Sequence, residues 1–208
     1  MVAILPYNKV KTYDSIVIAT KKGYVKKSLI KDYITNKKRA LSAIKLRKDD
    51  SIVSVAFVNK GDDLLITSEK GQCIRIHEDA IPLTGRQTMG VIGMKLDANN
   101  HCLSIVALTP QTKEICSTTT AGLIKRTGVE EFKITNRGTK GVIAHKLTEG
   151  EKIASVLPLI NEKEVIGVST TNTIKISLTQ VPKTSRSTQG VSIMKGKTKF
   201  VKIVLPTV

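Results

Sequence analysis

The stretch Thr118–Val142, TTTAGLIKRTGVEEFKITNRGTKGV, decides the fold, because closely similar stretches occur three more times in this chain of 208 residues. Around Gly23 the sequence is ATKKGYVKKSLIKDY, around Gly71 it is TSEKGQCIRIHEDAI, and around Asn172 it is STTNTIKISLTQV. The shared turn position therefore recurs after 48, 51 and 50 residues. Internal similarity at a fixed period of this length indicates a repeat protein.

Three further landmarks keep the same spacing. They are a small hydroxyl residue three positions before the turn, a small-plus-apolar pair, and the first apolar residue of a later strand. In chain order these are Thr20, Ser68, Thr119 and Ser169; Ala40-Leu41, Gly90-Val91, Gly141-Val142 and Gly190-Val191; and Ile52, Leu103, Ile153 and Val201. Four landmarks in register through four copies indicate repeated structural units rather than chance similarity.

Each copy begins with two β-prone segments separated by a tight turn. Ile16–Thr20 and Tyr24–Ser28 flank Lys-Gly, and glycine accepts the positive φ that such a hairpin turn requires. Asn172 replaces glycine in the fourth copy, and asparagine is enriched in the left-handed region. We therefore predict a hairpin in every copy, with Asn172 in the left-handed conformation.

The rest of each copy predicts two more strands and no long helix. The third strand corresponds to Leu41–Leu46, Val91–Leu96 and Val142–Leu147, the fourth to Ile52–Val58 and its equivalents, and only Glu130–Lys133 and its equivalents suit a helical turn. Four strands in about 50 residues, repeated four times, are typical of an all-β, propeller-like radial fold.

We predict a single repeat domain over residues 1–208. Its blades are approximately 7–58, 59–108, 109–159 and 160–208, and residues 1–6 resemble the last strand of a preceding blade. This offset predicts that neighbouring blades exchange a strand.

Composition and cysteine use exclude several classes of protein. No apolar stretch approaches the roughly 18 residues of a membrane span, and no signal peptide is recognisable, so we expect a cytoplasmic protein without a membrane partner. Three cysteines without a CxxC pair and three scattered histidines give no metal-ligand spacing. We expect no metal and no cofactor, and Cys73 and Cys116 align with core positions.

Charge is the most unusual bulk property, because 34 Lys and Arg against 17 Asp and Glu give a formal net charge of +17. The basic residues occur at fixed positions of the repeat, which in a radial fold would form a stripe for a nucleic-acid backbone. The candidate DNA-binding residues follow the hairpin turn (Lys26, Lys27, Arg75, Lys125, Arg126, Lys175) or precede the third strand (Lys37, Lys38, Arg39, Arg86, Arg137, Lys140, Lys183, Arg186).

The type of basic residue suggests how a nucleic acid would be bound. Lysines outnumber arginines 27 to 7 and tryptophan is absent, which favours phosphate contacts over base reading or base stacking. We therefore expect weakly sequence-specific binding of double-stranded DNA. The alternative is a β-propeller scaffold whose basic rim binds an acidic protein.

The repeated motifs G-x-x-K-[KR] and R-x-x-x-G-V, as in GLIKRTGVEEFKITNRGTKGV, resemble the C-terminal domain of bacterial type IIA topoisomerase A subunits, from gyrase or topoisomerase IV. The resemblance covers essentially the whole chain. It implies a β-pinwheel whose basic perimeter binds and bends or wraps duplex DNA and thereby controls supercoiling. It also implies partners, namely the breakage-reunion part and the ATPase subunit of an ATP-dependent enzyme, and association with the nucleoid.

Two features qualify this resemblance. The gyrase heptad Q-[RK]-R-G-G-[RK]-G is matched at only four of seven positions by Thr135–Gly141, which fits either a topoisomerase IV-type domain or a chain without the part that bears the heptad. No tyrosine follows an arginine as the DNA-cleaving tyrosine of the family does, and no P-loop is present. We therefore expect no catalytic residue in this segment.

Overall fold

A computed structural model describes residues 12–34, 40–193 and 200–206. Four similar units follow one another along the chain, and each contributes up to four strands and one turn of 3-10 helix. The first strands are β1 (Ser15–Thr20), β4 (Asp63–Ser68), β8 (Glu114–Thr119) and β12 (Glu164–Ser169); the second are β2 (Tyr24–Leu29), β5 (Gln72–His77), β9 (Leu123–Gly128) and β13 (Thr173–Ser177).

The later elements of each unit are shorter or follow loops. The 3-10 turns are Ile30–Asp32, Glu78–Ala80, Val129–Glu131 and Leu178–Gln180; the third strands are β6 (Val91–Ile92), β10 (Val142–Ile143) and β14 (Val191–Ser192); the fourth are β3 (Ile52–Val58), β7 (Cys102–Leu108), β11 (Ile153–Leu159) and β15 (Phe200–Val204). The all-β repeat fold is confirmed. No helix in this described part is long and apolar enough to cross a membrane.

Glycine closes the hairpin turn in three units, but the fourth turn is built differently. Gly23 has φ +83°, and a Cβ there would lie 2.5 Å from the carbonyl oxygen of Met94. The prediction for Asn172 was wrong, since Asn172 is not among the positive-φ residues. Instead, the Ser169 hydroxyl accepts the N–H of Asn172 at 2.8 Å, so a side chain closes this turn.

Successive units exchange a strand, as the sequence predicted. Three sheets have the orders β3-β1-β2-β6, β7-β4-β5-β10 and β11-β8-β9-β14, so each ends with the third strand of the next unit. The fourth sheet contains β15-β12-β13. Every junction between neighbouring units is therefore a shared sheet rather than only a packed interface.

The third strands are much shorter than predicted. After Ile92 the chain leaves the ladder, and the N–H groups of Gly93 and Met94 both donate to the carbonyl oxygen of Gly23, at 2.9 and 3.2 Å. Residues 41–46 form no strand at all. A third strand pairs with the hairpin of the preceding unit, and the described residues contain no hairpin before the first unit.

The fourth strands lie at the centre of the molecule. They pack against one another in succession, and all four line a central cavity of about 580 Å³. The Ser54 hydroxyl bonds the Ile105 carbonyl across one of these contacts, at 3.1 Å. Apolar clusters fill the space between sheets, and Cys73 and Cys116 are buried in them as predicted. The exchanged third strands therefore lie at the outer edge of the sheets.

The limits of the four blades stay predictions. The proposed strand within residues 1–6 lies outside the described residues.

Candidate nucleic-acid interface

Three loops, hereafter the basic loops, run along the outer edge just before the third strands; they comprise residues 83–90, 134–141 and 183–190. Each loop begins against the second strand of the preceding unit. The N–H groups of Thr84, Thr135 and Thr184 donate to the carbonyls of Lys27, Arg75 and Arg126 at 2.9, 2.8 and 2.9 Å. The exchanged strand thus brings each basic loop onto the hairpin of its neighbour.

The glycine of the R-x-x-x-G-V motif ends each basic loop. Gly90, Gly141 and Gly190 have φ of +70°, +78° and +78°. A Cβ would lie 2.3, 2.1 and 2.6 Å from backbone carbonyl oxygens of the preceding unit's second strand. No other residue fits this approach without a shift of the backbone. The motif therefore places its arginine at a fixed point on the outer edge.

Arg137 and Arg186 use only one or two of their guanidinium N–H donors to bind backbone carbonyls. The guanidinium of Arg137 donates to the carbonyls of Ala80 and Ile92 at 3.1 and 3.2 Å, and that of Arg186 donates to Ile143 at 3.0 Å. A guanidinium carries five N–H donors, so each retains donors for a phosphate. Arg86 is half-buried and lacks such an anchor, since no third strand is present in the first unit over its described residues.

Two loop lysines are exposed and weakly paired. The Lys140 Nζ lies 2.5 Å from a carboxylate oxygen of Asp97, and both side chains are more than half exposed. The Lys183 Nζ lies 3.6 Å from carboxylate oxygens of both Glu114 and Glu130. Ion pairs at such exposure contribute little stability and exchange readily with water or a ligand. These two ammonium groups therefore remain available to a polyanion.

Most basic residues after the hairpin turn hold neighbouring units together instead of facing solvent. Arg75 donates to the carbonyls of Val129 and Phe132 at 3.2 Å each and pairs with Asp63 at 2.7 Å. The equivalent Lys27 and Arg126 make similar contacts with the next unit. The Lys27 ammonium binds Glu78, in the 3-10 turn of the next unit. The Arg126 guanidinium donates to the carbonyl of Val181, directly after the next 3-10 turn, and pairs with Glu114 of its own unit.

Lys175 is the fourth member of this set. Its side chain is 63% exposed and pairs with Glu164 at 2.8 Å. Among the described residues no unit follows the fourth, so Lys175 has no next 3-10 turn to bind there.

The prediction that placed Lys26 and Lys125 on the exposed outer surface was wrong, because both are buried, at 1% and 0% exposure. The basic loop of the next unit covers them, which a local sequence pattern cannot show. Burial lowers the pKa of both ammonium groups to about 8. Lys37, Lys38 and Arg39 lie outside the described residues.

A row of lysines next to the basic loops was not predicted from the sequence. Lys45, Lys95 and Lys146 are exposed, and their N–H groups donate to the carbonyls of Thr88, Thr139 and Thr188 at 3.1, 2.9 and 3.0 Å. Each lysine therefore sits beside the basic loop of the next unit. The signal was a Lys-Leu pair recurring after 50 and 51 residues, inside segments that we had assigned to long third strands.

Other kinds of site have little support in the described ranges. They contain no group of three or more His, Cys, Asp or Glu that could hold a metal ion. The three cysteines are free and buried, and burial raises each thiol pKa to about 12, far from the range of a reactive thiolate.

Strand-exchanged four-stranded units around a common centre, with basic loops on the outside, define the propeller-like β-pinwheel class. The chain matches the family model described as "DNA gyrase C-terminal domain, beta-propeller" over residues 14–59, 62–108, 113–159 and 172–203. The chain therefore belongs to the DNA gyrase C-terminal domain family.

Known relatives agree with this assignment. The DNA gyrase A protein of Mycolicibacterium smegmatis (strain ATCC 700084 / mc(2)155) is 32% identical over 194 residues, which is 89% of this chain and 23% of that protein. The gyrase A protein of Buchnera aphidicola subsp. Baizongia pistaciae (strain Bp) is 29% identical over 199 residues, 95% of this chain and 23% of that protein. The chain thus spans less than a quarter of these relatives.

Solved structures confirm the fold. The C-terminal domain of DNA topoisomerase IV superposes with a TM-score of 0.86 at 20% identity, covering 98% of this chain and 65% of that chain. The DNA gyrase A C-terminal domain superposes with a TM-score of 0.81 at 19% identity, covering 91% and 64%.

Proposed function

We propose that the outer edge binds double-stranded DNA through its phosphates, without base specificity, and bends the duplex around the molecule. The observation that carries this proposal is the repetition of one arrangement at three consecutive junctions between units. At each of three junctions a loop arginine of one unit, Arg86, Arg137 or Arg186, lies in a loop that an exposed lysine of the preceding unit, Lys45, Lys95 or Lys146, contacts. A phosphate backbone is itself a periodic row of charges, so a periodic row of cations matches it.

The shape of the molecule favours bending. Because the fourth strands face a common centre, the opposite edge with its basic loops is convex. Smoothly bending 20–30 base pairs by 40–90° costs roughly 1–6 kcal/mol, and phosphate contacts spread over several units can offset that cost. The net charge of +17 adds long-range attraction.

The family suggests the larger assembly. We propose that the chain acts as the non-catalytic, DNA-wrapping part of a bacterial type IIA topoisomerase, in the cytoplasm and at the nucleoid. Its partners would be the breakage-reunion part and the ATPase subunit. Control of supercoiling would then come from the path that the outer edge imposes on the duplex.

Salt dependence tests the DNA-binding proposal. If about eight phosphates are neutralised, log K for duplexes of unrelated sequence should fall with log salt at a slope near −7. An absence of duplex binding at low salt would contradict the proposal and favour the scaffold for an acidic protein.

A ligation experiment tests bending separately. The chain is bound to nicked circular DNA, the nick is sealed, and the linking number is compared with that of protein-free circles. We expect a shift that grows with protein occupancy. An unchanged linking number with saturated binding would exclude wrapping, and relaxation of supercoiled DNA by the chain alone would contradict its non-catalytic role.

A further inference from the structure

A buried ammonium lies directly beneath the last basic loop. The side chain of Lys125 has no exposed surface, and its Nζ lies 2.9 Å from the Ser185 carbonyl oxygen and 2.7 Å from that of Arg186. The Thr188 hydroxyl is a third neighbour at 3.5 Å. Because an ammonium has three donors, these acceptors account for all of them.

The hydrogen bonds of Lys125 hold the loop backbone at Arg186, whose guanidinium is a candidate phosphate-binding group. The N–H of Arg186 donates to the Glu131 carboxylate at 2.8 Å, and its guanidinium donates to the Ile143 carbonyl at 3.0 Å. The loop is therefore held at Arg186 by three partners, namely Lys125, Glu131 and Ile143. Residues 183–190 form no strand, so side chains supply much of what fixes their conformation.

We propose, resting on the duplex-binding function above, that Lys125 is a positioning residue for the interface. Its buried ammonium holds the 183–190 loop in the conformation that meets a phosphate and links DNA binding to the uptake of a proton.

Of Lys125, Cys73 and His145, only Lys125 has a pKa near neutral pH. The charged or titratable groups that face it are Glu131, Arg186, Cys73 and, through a weaker interaction, His145. Burial raises the pKa of the Cys73 thiol to about 12 and lowers the pKa of His145 to about 4, so both are neutral between pH 6.5 and 9.5. Burial lowers the pKa of Lys125 to about 8, within that range.

The sign of the linkage follows from electrostatics. A phosphate bound beside Arg186 adds negative charge near the ammonium, which favours its protonated form and raises its pKa. Binding therefore takes up a proton when the free protein is partly deprotonated, and affinity falls as pH rises through 8.

The other two loops provide an internal contrast. Lys26 occupies the equivalent position under the first loop, but its ammonium reaches the loop through the Ser28 hydroxyl, which donates to the Thr84 carbonyl at 2.8 Å. Asp32, Arg86 and Tyr33 face this ammonium. The middle loop has the apolar Ile74 at this position. We therefore expect a weaker contribution from Lys26 and none from the middle loop.

Fluorescence anisotropy with a labelled 20–30 base-pair duplex, at constant ionic strength from pH 6.5 to 9.5, tests the inference. For the wild type we expect a three- to tenfold loss of affinity over this range, since one pKa unit corresponds to tenfold. Lys125→Met should bind more weakly at pH 7 and lose at least half of the pH dependence. Lys125→Arg, which stays charged, should keep its affinity at pH 9.

Lys183→Met is the matched control, because it removes an exposed charge from the same loop. It should weaken binding while keeping the wild-type pH dependence. Calorimetry of the wild type at pH 8, in buffers of different ionisation enthalpy, measures proton uptake without any variant. Duplex binding with no proton uptake and equal affinity at pH 6.5 and 9.5 would overturn the inference and leave the proposed function standing. An absence of duplex binding by the wild type at any pH would contradict the function itself.

Discussion

The middle and last basic loops share a motif and a backbone path, but opposite chemistry supports them. Beneath residues 134–141 lies Ile74, and beneath residues 183–190 lies Lys125, both on equivalent positions of the second strand. Met94 and His145 form a second equivalent pair; His145 accepts from the Ser117 hydroxyl at 2.8 Å and donates to the Gln189 carbonyl at 2.6 Å.

The backbone therefore sets the position of each loop, whereas the side chains that support the loop can vary. Glycine at the end of the loop and the exchanged strand are common to both junctions. Both loops keep their backbone hydrogen bonds to the preceding unit. Beneath the middle loop, Ile74 adds only apolar packing, whereas beneath the last loop Lys125 and His145 add further hydrogen bonds. Only the second kind depends on protonation.

The largest expected effect tests what the two loops share. In Gly141→Ala, the new Cβ would lie 2.1 Å from the Cys73 carbonyl oxygen and 2.5 Å from Ile74 Cγ2, at φ +78°. We expect a loss of about 3 kcal/mol or more in the free energy of unfolding, measured by urea denaturation. Gly190→Ala, with its nearest atom at 2.6 Å, should lose somewhat less.

Gly150→Ala is the control for backbone strain alone. Gly150 has the same φ of +78°, but a Cβ there meets nothing within 4 Å, so the loss should be about 1 kcal/mol. Equal effects at positions 141 and 150 would show that the close approach between units does not constrain the loop.

The next prediction concerns the polar support of the last loop, which acid should weaken by protonating His145. Burial lowers the pKa of His145 to about 4 in the folded state, against about 6.5 when unfolded. Its contribution to stability is complete above pH 6.5 and is lost as pH falls toward 4, by up to about 3 kcal/mol. Urea denaturation at pH 7 and pH 4.5 measures this loss.

His145→Met copies the residue at position 94 and should remove this part of the acid dependence. The same loss of stability between pH 7 and 4.5 in both proteins would mean that His145 is not the group that titrates.

The smallest effect concerns the exposed side of the loops. Replacing Arg86, Arg137 and Arg186 together by alanine should weaken duplex binding equally for unrelated sequences and reduce the magnitude of the salt slope by about 3, with little change in thermal stability. Replacing Lys60, Lys113 and Lys163, which are exposed and belong to none of the basic loops, removes the same charge and should have a smaller effect. Equal effects of the two triple variants would show that net charge, rather than the loops, determines affinity.

Much of the fold could be predicted from local patterns. The spacing of Gly23, Gly71 and Gly122 identified the hairpins, and the aligned Arg86, Arg137 and Arg186 identified loops that the structure places on one edge. These features depend on residues close in the chain, or on repetition, both of which the sequence displays directly.

The support of the loops could not be predicted, because it depends on contacts between residues 44–63 positions apart. Lys125 and Arg75 follow a hairpin turn, where basic residues usually face solvent. In the fold, the basic loop of the next unit covers Lys125, and the 3-10 turn of the next unit contacts Arg75. Lys95 and Lys146 were not recognised as exposed residues, because the predicted six-residue third strands placed them within a sheet.

Strand exchange also determines where the chain can be divided. Because each of the first three sheets takes its outer strand from the following unit, a chain cut between units 3 and 4 would lose the loop that covers Lys125 and the outer strand of the third sheet. The third unit should therefore be less stable without the fourth unit than with it.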